Sequence, residues 1–319
     1  MKNRLEHVKC NLCGRDDYTV LGIKKIRSNT HKQVNVVVCK QCGLIYLNPR
    51  WTCDTYQQFY KDQYRKSVGS KSDLSTQWKR YQKAKLRGSR WLSFCHDFIG
   101  TGTKVLDIGC SNGGILQIFK YAGYNVTGVE PGLAESQFGR EVLKLNIFTG
   151  ALEDAEFDEE SFDLILIIAS IDHLLDPLDT LKRLLKLCKP GGYLFIDTYD
   201  SFRLLSEGTF FPKMDHCYYF TGDTIHSLVS TAGWEIVKFE RFSKFSQPFD
   251  FSNISNRYKD VVISVLARKS EVQIPTRWPD GKQIIGRISF SLRWYNRLFV
   301  KVKVILRACL RLIKRFYCF

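Results

Sequence analysis

The spacing of apolar and polar residues changes near residue 100. Beyond it, short apolar runs typical of strands alternate with stretches that repeat at helical spacing. We predict strands near 103–109, 125–130, 162–169, 193–199, 234–241 and 260–268, and helices near 113–122, 133–143, 178–188 and 221–232. This alternation is typical of βαβ units, so residues 100–270 are predicted to form an α/β domain with a doubly wound, mostly parallel sheet.

Before residue 100 the pattern differs. Residues 1–50 have the short runs and turns of a small β module, and residues 54–99 carry aromatic side chains at helical spacing among many Lys and Arg residues. After Lys269 the pattern breaks at two prolines and resumes as a basic, apolar stretch. We therefore divide the chain into four parts: an N-terminal module (1–53), a helical connector that covers the acceptor (54–99), the α/β domain (100–270) and a basic amphipathic tail (271–319).

Charge is distributed unevenly along the chain. In total, 48 Lys and Arg residues stand against 32 Asp and Glu residues, a net charge of +16. The net charge is +13 over residues 1–100, −6 over 101–285 and +9 over 286–319, where no acidic residue occurs. A mildly acidic centre between two basic segments indicates an anionic partner, such as phosphate groups, a membrane surface or nucleic acid.

The eleven cysteines could belong to a secreted disulfide protein or to a reduced one, and their spacing favours the second. Four lie in two Cys-x-x-Cys pairs and the other seven are scattered. The N-terminus has no apolar signal sequence, and no apolar run reaches the ~18 residues of a membrane-spanning helix. We therefore expect a cytoplasmic protein.

The two pairs, Cys10 with Cys13 and Cys39 with Cys42, are each followed by glycine. Each pair directs two thiolates to one point, and four thiolates complete a tetrahedral zinc site that leaves no position for water. We predict a structural Zn²⁺ in a zinc-ribbon-like module. Four unligated core cysteines, or a redox pair, are the alternatives, and the repeated Cys-x-x-Cys-Gly form argues against both.

A glycine-rich turn follows the first strand of the α/β domain. The segment Val105-Leu-Asp107-Ile-Gly109-Cys-Ser-Asn-Gly113 is an apolar strand that ends in an acidic residue and a turn. Gly109 permits a tight turn, and Gly113 permits a close approach of a ligand to the backbone. The next strand ends at Glu130, whose carboxylate can accept hydrogen bonds from both hydroxyls of a ribose. The alternative for Glu130 is a solvated loop carboxylate.

Three more motifs follow this turn in order. They are Leu152-Glu-Asp, Asp172-His173-Leu-Leu-Asp-Pro and Lys189-Pro-Gly-Gly. With them, the α/β domain resembles the class I S-adenosylmethionine-dependent methyltransferases, whose sheet is Rossmann-like. The segment Leu44-Ile-Tyr-Leu-Asn-Pro, after the second cysteine pair, resembles the zinc-binding front end of a bacterial subgroup that includes deoxysugar C-methyltransferases.

The resemblance implies how S-adenosylmethionine binds. The glycine turn would hold its methionine part, with Asp107 near the amino end and Ser111 where the family more often has glycine. Glu130 would hold the ribose. The adenine would be framed by the residues of the next motif, Leu152 with Glu153 or Asp154. Because the sulfonium already activates the methyl group, the protein mainly supplies orientation and, where the acceptor needs one, a base.

Asp215 and His216 are the first candidates for the catalytic site. In sugar C-methyltransferases a Glu-His pair before an aromatic-rich segment supplies the base, and Asp215-His216 resembles that pair. A carboxylate beside an imidazole can raise its basicity and fix its tautomer. His173, at the end of a strand that faces the cofactor, is a second candidate base. Packing is the alternative for both histidines, as it is for Tyr60 and Tyr64, which otherwise cover the acceptor from the N-terminal side.

Three functions remain open from the sequence. The favoured one is methyl transfer to a small-molecule, sugar-nucleotide or glycan- or lipid-linked acceptor in polysaccharide biosynthesis, with the basic N-terminal region meeting a diphosphate. The second is an RNA methyltransferase that binds RNA through the zinc module and the basic segments. The third is a non-enzymatic protein that binds S-adenosylmethionine, and the intact glycine turn and Glu130 argue against it.

Within the tail, over residues 287–319, cations recur every three or four residues among apolar and aromatic side chains. On a helix this forms a basic stripe beside an apolar surface, which suits a membrane interface with anionic lipids. We expect peripheral association with the cytoplasmic face of a membrane. A helix docked on the acidic middle domain and an RNA contact are the alternatives.

Overall fold

The N-terminal residues form a small antiparallel module. The computed structural model describes residues 4–21, 34–62, 73–206, 210, 212–242, 262–270 and 278–289. The strands of the module are β1 (Leu5–Glu6), β2 (Tyr18–Val20), β3 (Asn35–Cys39), β4 (Ile45–Asn48) and β5 (Arg50–Trp51). The ladder β2-β3-β4 is antiparallel, and β1 pairs with β5. Nearly all side chains of β3 and β4 are buried, so both faces of this ladder are covered.

Between the module and the central sheet, the described residues include the helices α1 (Cys53–Asp62) and α2 (Leu74–Cys95), and both lie in the part predicted to be helical. The Asp73 carboxylate caps α2 by accepting a hydrogen bond from the Thr76 backbone N–H at 2.9 Å. α2 buries Trp91 and Phe94 against the large sheet and leaves its opposite face exposed.

Among the described residues, seven strands form the central sheet. The strands that follow α2 are β6 (Lys104–Ile108), β7 (Asn125–Glu130), β8 (Asn146–Thr149), β9 (Phe162–Ile168), β10 (Cys188–Tyr199), β11 (Tyr218–Tyr219), β12 (Trp234–Phe242) and β13 (Val262–Lys269), and all but β11 belong to this sheet. Their order is β12-β13-β10-β9-β6-β7-β8. β13 is antiparallel to both of its neighbours, and the other pairs are parallel. The predicted doubly wound, mostly parallel α/β sheet is confirmed.

Helices cover the sheet on both faces. They are α3 (Gly114–Tyr121), α4 (Leu133–Gln137), α5 (Pro177–Leu187), α6 (Ser201–Ser206) and α7 (Gly222–Thr231). Leu164 and Ile165, neighbours in β9, belong to two different apolar clusters because successive side chains of a strand point to opposite faces. In the described part of the chain, no helix is both long and apolar enough to cross a bilayer.

The module and the central sheet share one apolar core. β11 extends the module's ladder along β4, with Tyr218 opposite Tyr46. Buried residues of both parts, such as Leu47 and Ile167, lie in a single cluster. A further helix, α8, covers 281–289. At its start the Gly281 N–H donates to the carbonyl of Gln41, between the cysteines of the second pair, at 3.2 Å.

The ends of the predicted strands lie within two residues of those in the structure, except that β10 begins at Cys188, five residues before the predicted start at 193. The strands β8 and β11 and the helices α6 and α8 were not predicted. The basic tail was expected to become helical from about 287, whereas α8 begins at 281 and buries Ile284 and Ile288 in the protein's own core. The rest of the predicted tail, 290–319, lies outside the described residues, as does Tyr64.

Candidate active site

The glycine turn lies where the order of the strands reverses. β7 lies on one side of β6 and β9 on the other, which opens a crevice at the carboxyl ends of the strands. Gly109 has a φ of +75°, and a Cβ there would come within 2.9 Å of the Ser170 Cβ. The Ser170 hydroxyl donates to the Ile108 carbonyl at 2.8 Å, which holds the turn after β9 against the glycine turn.

Glu130 is held at the end of β7 by two backbone donors. One carboxylate oxygen accepts from the Ser111 N–H at 2.8 Å and the other from the Gly132 N–H at 2.7 Å. Ser111 has a φ of +51°, so the serine occupies a left-handed conformation that glycine adopts at less cost. Glu130 is 8% exposed, and its carboxylate is oriented towards the glycine turn.

Asp107 lies at the base of the same crevice and is fully buried. One of its carboxylate oxygens has no hydrogen-bond partner among the described residues. Burial, and then repulsion from Glu130, raise the pKa of Asp107 from 3.8 to about 8. An orphaned buried carboxyl oxygen beside a glycine turn fits a site that receives a cationic donor, such as the amino group of S-adenosylmethionine.

The other predicted cofactor residues do not all join this cluster. Gly113 has a φ of +77°, and a Cβ there would come within 2.4 Å of Leu145 Cδ1, so the backbone conformation and the packing against Leu145 both favour glycine at this position. Leu152 is buried in the core. Glu153 and Asp154 are exposed, and Glu153 lines a separate groove of about 770 Å³ with residues from the amino ends of β6, β7 and β8.

A buried polar network that the sequence did not indicate ties α2 to the glycine turn. The Asn112 side-chain amide donates to the Gln77 carbonyl at 2.9 Å, and the Gln77 amide donates to Glu135 at 2.9 Å. Arg80 pairs with the same Glu135 carboxylate at 3.0 Å. The network fixes α2 over the turn, and only the position of Asn112 within the glycine motif could have drawn attention to it.

Asp172 and His216 form a close pair beside this crevice. The His216 Nδ1 lies 2.7 Å from Asp172 Oδ2, while its Nε2 lies 4.0 Å from Asp215 Oδ2. Asp215 was predicted to be the partner of the imidazole, yet Asp172 makes the short contact. Burial alone would raise the pKa of Asp172, but His216 and His173 outweigh it and hold this pKa well below its usual range.

His173 is oriented by a different set of groups. Its Nδ1 lies 2.9 Å from the Asp215 backbone carbonyl oxygen and 2.6 Å from the Tyr60 hydroxyl. Burial lowers the pKa of His173. The ring centroids of His173 and His216 are 4.4 Å apart, so the structure brings the three predicted catalytic residues, Asp215, His216 and His173, into one cluster.

A cavity of about 250 Å³ opens beside this cluster. Its walls are mainly aromatic, with a few polar groups, from Asp172, Thr198, Tyr199, Ser201, Leu204, Phe210, Lys213, His216, Tyr218, Tyr219 and Phe220. The Tyr219 hydroxyl accepts from the Lys213 N–H at 2.9 Å and donates to the Lys213 carbonyl at 3.0 Å, which closes the loop that carries His216. Such a cavity suits a small ring that packs against aromatic side chains and presents hydrogen-bonding groups to the polar ones.

The four cysteines of the module converge as predicted. The Sγ atoms of Cys10 and Cys42 are 3.4 Å apart and those of Cys13 and Cys39 are 3.5 Å apart, and all four lie within 4.8 Å of one another. The glycine after each pair has a positive φ, +71° and +73°, as the tight turns require. The group could hold one tetrahedral metal ion.

Comparison with known proteins agrees with this geometry. A family model described as a methyltransferase domain matches residues 78–238, half of the chain. A tRNA U34 carboxymethyltransferase of Campylobacter curvus is 27% identical over 222 residues, which are 64% of this chain and 67% of that protein. A ubiquinone biosynthesis O-methyltransferase of Vibrio atlanticus is 31% identical over 103 residues, 30% of this chain and only 44% of that protein.

Solved structures are also similar to this chain. S-adenosylmethionine-dependent methyltransferases of Methanosarcina mazei and Aquifex aeolicus are 17% and 18% identical, with TM-scores of 0.45 and 0.46. The matches cover 55% and 62% of this chain and 96% and 99% of theirs. With the family model spanning the glycine turn, Glu130 and His216, the chain belongs to the methyltransferase-domain family and is a class I S-adenosylmethionine-dependent methyltransferase.

Proposed function

We propose that this enzyme methylates a small-molecule, sugar-nucleotide or glycan- or lipid-linked acceptor that binds in the cavity beside His216. The observation that carries the proposal is the 2.7 Å contact between His216 and Asp172 at the wall of that cavity. A cavity of about 250 Å³ takes a ring of sugar size but not a folded macromolecule. The resemblance of the front end and of Asp215-His216 to deoxysugar C-methyltransferases supports a sugar-linked acceptor.

The cofactor residues have the roles that their positions suit. Asp107 receives the amino group of S-adenosylmethionine, Gly109 and Ser111 form the turn around its methionine part, and Glu130 accepts from the ribose. The family resemblance assigns the adenine to the segment of Leu152, Glu153 and Asp154, although Glu153 itself faces the groove at the amino ends of the strands. When bound, the cofactor supplies an activated methyl group on a sulfonium. Support comes from the orphaned Asp107 oxygen and from the two backbone donors that orient Glu130.

His216 acts as the general base. The Asp172 carboxylate accepts hydrogen bonds only, so the Nδ1 of His216 carries the proton at 2.7 Å and the Nε2 keeps a lone pair. As the acceptor atom is methylated, Nε2 takes the proton that this atom loses. His173 and Asp215 complete the cluster around the base.

The proposal is tested by methyl transfer. Purified enzyme with methyl-labelled S-adenosylmethionine is incubated with fractions of cell extract that contain sugar nucleotides, lipids or RNA, and label is followed by fraction. His216→Ala is expected to lower turnover at least about 100-fold while calorimetric affinity for S-adenosylmethionine stays unchanged. His226→Ala, at an exposed histidine on α7, is the matched control and is expected to keep full turnover. Near-normal turnover of His216→Ala would show that His216 is not the base and that its side chain serves packing.

RNA is the second candidate acceptor, on one specific observation. α2 carries six Lys or Arg residues and no acidic residue, and Lys79, Lys83 and Arg87 are exposed along one side of it. A basic helix of this kind suits a phosphate backbone. Ribonuclease-sensitive label in the RNA fraction, lost at high salt, would favour RNA over the small-molecule acceptor.

The cysteine group binds one structural zinc ion. Tetrahedral Zn–S bonds of ~2.3 Å place the sulfurs ~3.8 Å apart, close to the separations in the module.

The tail binds an anionic membrane surface. Support comes from the composition of residues 286–319, which include nine cations and no acidic residue. Association is peripheral, at the surface of the bilayer.

A further inference from the structure

We propose that Asp172 is a positioning residue for His216, and that it keeps the proton on Nδ1 so that the Nε2 lone pair is directed away from it, towards the acceptor. The inference rests on the proposed function, in which His216 is the base. The Asp-His pair recognised in the sequence was Asp215 with His216, so this assigns the orienting role to the other carboxylate of the cluster.

The two carboxylates contact the ring differently. Asp172 Oδ2 is 2.7 Å from Nδ1, the length of a charge-assisted hydrogen bond, whereas Asp215 Oδ2 is 4.0 Å from Nε2, which is too long for one. Asp172 is 6% exposed, and its Oδ1 has no partner among the described residues. The His216 imidazole therefore supplies the side-chain hydrogen bond to the Asp172 carboxylate, and each member of the pair orients the other.

The backbone holds this pair together. The Cys217 N–H donates to the Asp172 carbonyl at 2.9 Å, which joins the turn after β9 to the loop of His216. The Tyr219 ring is stacked near the His216 ring, with centroids 6.2 Å apart and planes at 25°, and the His173 ring meets it at 65°. The His216 ring thus has an aromatic ring on each of two sides, and its Nδ1 faces Asp172.

The proton position can be read without any acceptor. Long-range ¹H–¹⁵N spectra of the full chain, with histidine labelled and His216 assigned from the spectrum of His216→Ala, report the tautomer directly. In the wild type we expect the proton on Nδ1 and an unprotonated Nε2. In Asp172→Leu, which removes the acceptor at similar size, the ratio of the two tautomers is expected to move about tenfold or more towards Nε2–H.

Asp215→Leu is the matched control, because it removes the second carboxylate near the same ring, and the Nδ1–H tautomer is expected to persist in it. Asp172→Glu is expected to restore the wild-type tautomer in part. Calorimetric affinity for S-adenosylmethionine shows whether each variant is folded. If Asp172→Leu does not fold, the wild-type spectrum still decides, since a proton on Nε2 would overturn the assignment.

Two further results would overturn it. The first is an unchanged tautomer in folded Asp172→Leu. The second is a divalent ion at the cluster, because the ligand atoms of Asp172, His173 and His216 are close enough to share one. Added Mn²⁺ would then broaden both histidine resonances. These outcomes are separate from the turnover of His216→Ala, so the orientation of the ring and its role as a base can fail independently.

Discussion

Ile284 of α8 lies against Gly43, the glycine that follows the second cysteine pair, so closely that a Cβ on Gly43 would come within 2.3 Å of Ile284 Cδ1 and 3.0 Å of its Cβ. Both residues are buried in the core that the module shares with the central sheet. Helix α8 therefore packs on the cysteine module, against the backbone of the second cysteine pair.

This contact gives a paired prediction for two glycines. Gly14 and Gly43 have nearly the same φ, +71° and +73°, but a Cβ on Gly14 would meet nothing within 4 Å. Alanine at either position costs about 1–2 kcal/mol for the left-handed backbone. Gly43→Ala also displaces α8, and we expect it to be less stable than Gly14→Ala by a further 1–3 kcal/mol, roughly the cost of overpacking. Urea unfolding of both variants measures the difference, and equal stabilities would contradict the seating of α8.

Zinc content is the next prediction. We expect about one zinc ion per chain by elemental analysis of freshly purified protein, and its loss in Cys42→Ser. The variant is expected to lose stability on the order of several kcal/mol, because metal binding contributes directly to folding. Cys53→Ser, at an exposed cysteine outside the group, is the control and should keep the metal. Wild-type protein without zinc would refute the metal site.

Asp107→Asn is expected to separate stability from binding. The folded-state pKa of about 8 lies above the unfolded value of 3.8, so the folded protein holds a proton that the unfolded chain releases. The free energy of unfolding therefore falls as pH rises from about 4 to 8. The asparagine side chain does not titrate, so the free energy of unfolding of the variant should lack this fall with pH. The difference between variant and wild type should therefore increase by ~1 kcal/mol or more, in favour of the variant, as pH rises from about 5 to 8. Affinity for S-adenosylmethionine should fall at least about tenfold. A wild-type pH slope in the variant would show that Asp107 is ionised in the folded protein.

Glu130→Ala removes the acceptor of two backbone N–H groups as well as the proposed partner of the ribose. We expect a loss of ~1–3 kcal/mol in stability and of at least about tenfold in cofactor affinity by calorimetry. Glu235→Ala breaks only an exposed pair with Arg268 and should change stability by less than about 1 kcal/mol. If cofactor affinity survives in Glu130→Ala, the ribose is held elsewhere.

The membrane prediction needs a deletion that spares α8. Because Ile284 and Ile288 are buried, removal of residues 290–319 is expected to leave the fold and the cofactor affinity intact. The full-length protein should sediment with vesicles of anionic lipid at low salt, and the shortened protein should not, since each cation near such a surface adds ~1 kcal/mol. Neutral vesicles are the control. A full-length protein that ignores anionic vesicles would exclude this partner.

The sequence predicted most of the central sheet because its strands are apolar runs separated by strong turn residues. β8 was missed, since its four residues, Asn-Ile-Phe-Thr, include only two apolar side chains. β11 has two residues, and its pairing depends on a partner far away in the chain. The start of α8 follows a proline and is stabilised by contact with the second cysteine pair, a tertiary effect that no local pattern shows.

The candidate site was predicted in part for the same reason. Local motifs were enough to group four cofactor residues, because all of them lie at or just after the ends of two adjacent strands: Asp107, Gly109, Ser111 and Glu130. The partner of His216 could not be read in this way, because Asp215 is its neighbour in sequence while Asp172 is its neighbour in space. Gly113 was expected to let a ligand approach the backbone, and the structure adds a packing reason for the glycine, because the side chain of Leu145 lies close to where a Cβ would be.

The pairing of Tyr46 with Tyr218 also bears on how the chain folds during synthesis. More than half of the chain separates the two strands, so β4 remains an open edge on that side until β11 has left the ribosome. An unpaired edge strand can pair with other chains, and the entropy of closing so long a loop slows the correct pairing. The nascent enzyme thus passes through a long interval in which the β4 edge of its first module can pair with other chains, and this interval ends only when β11 is available.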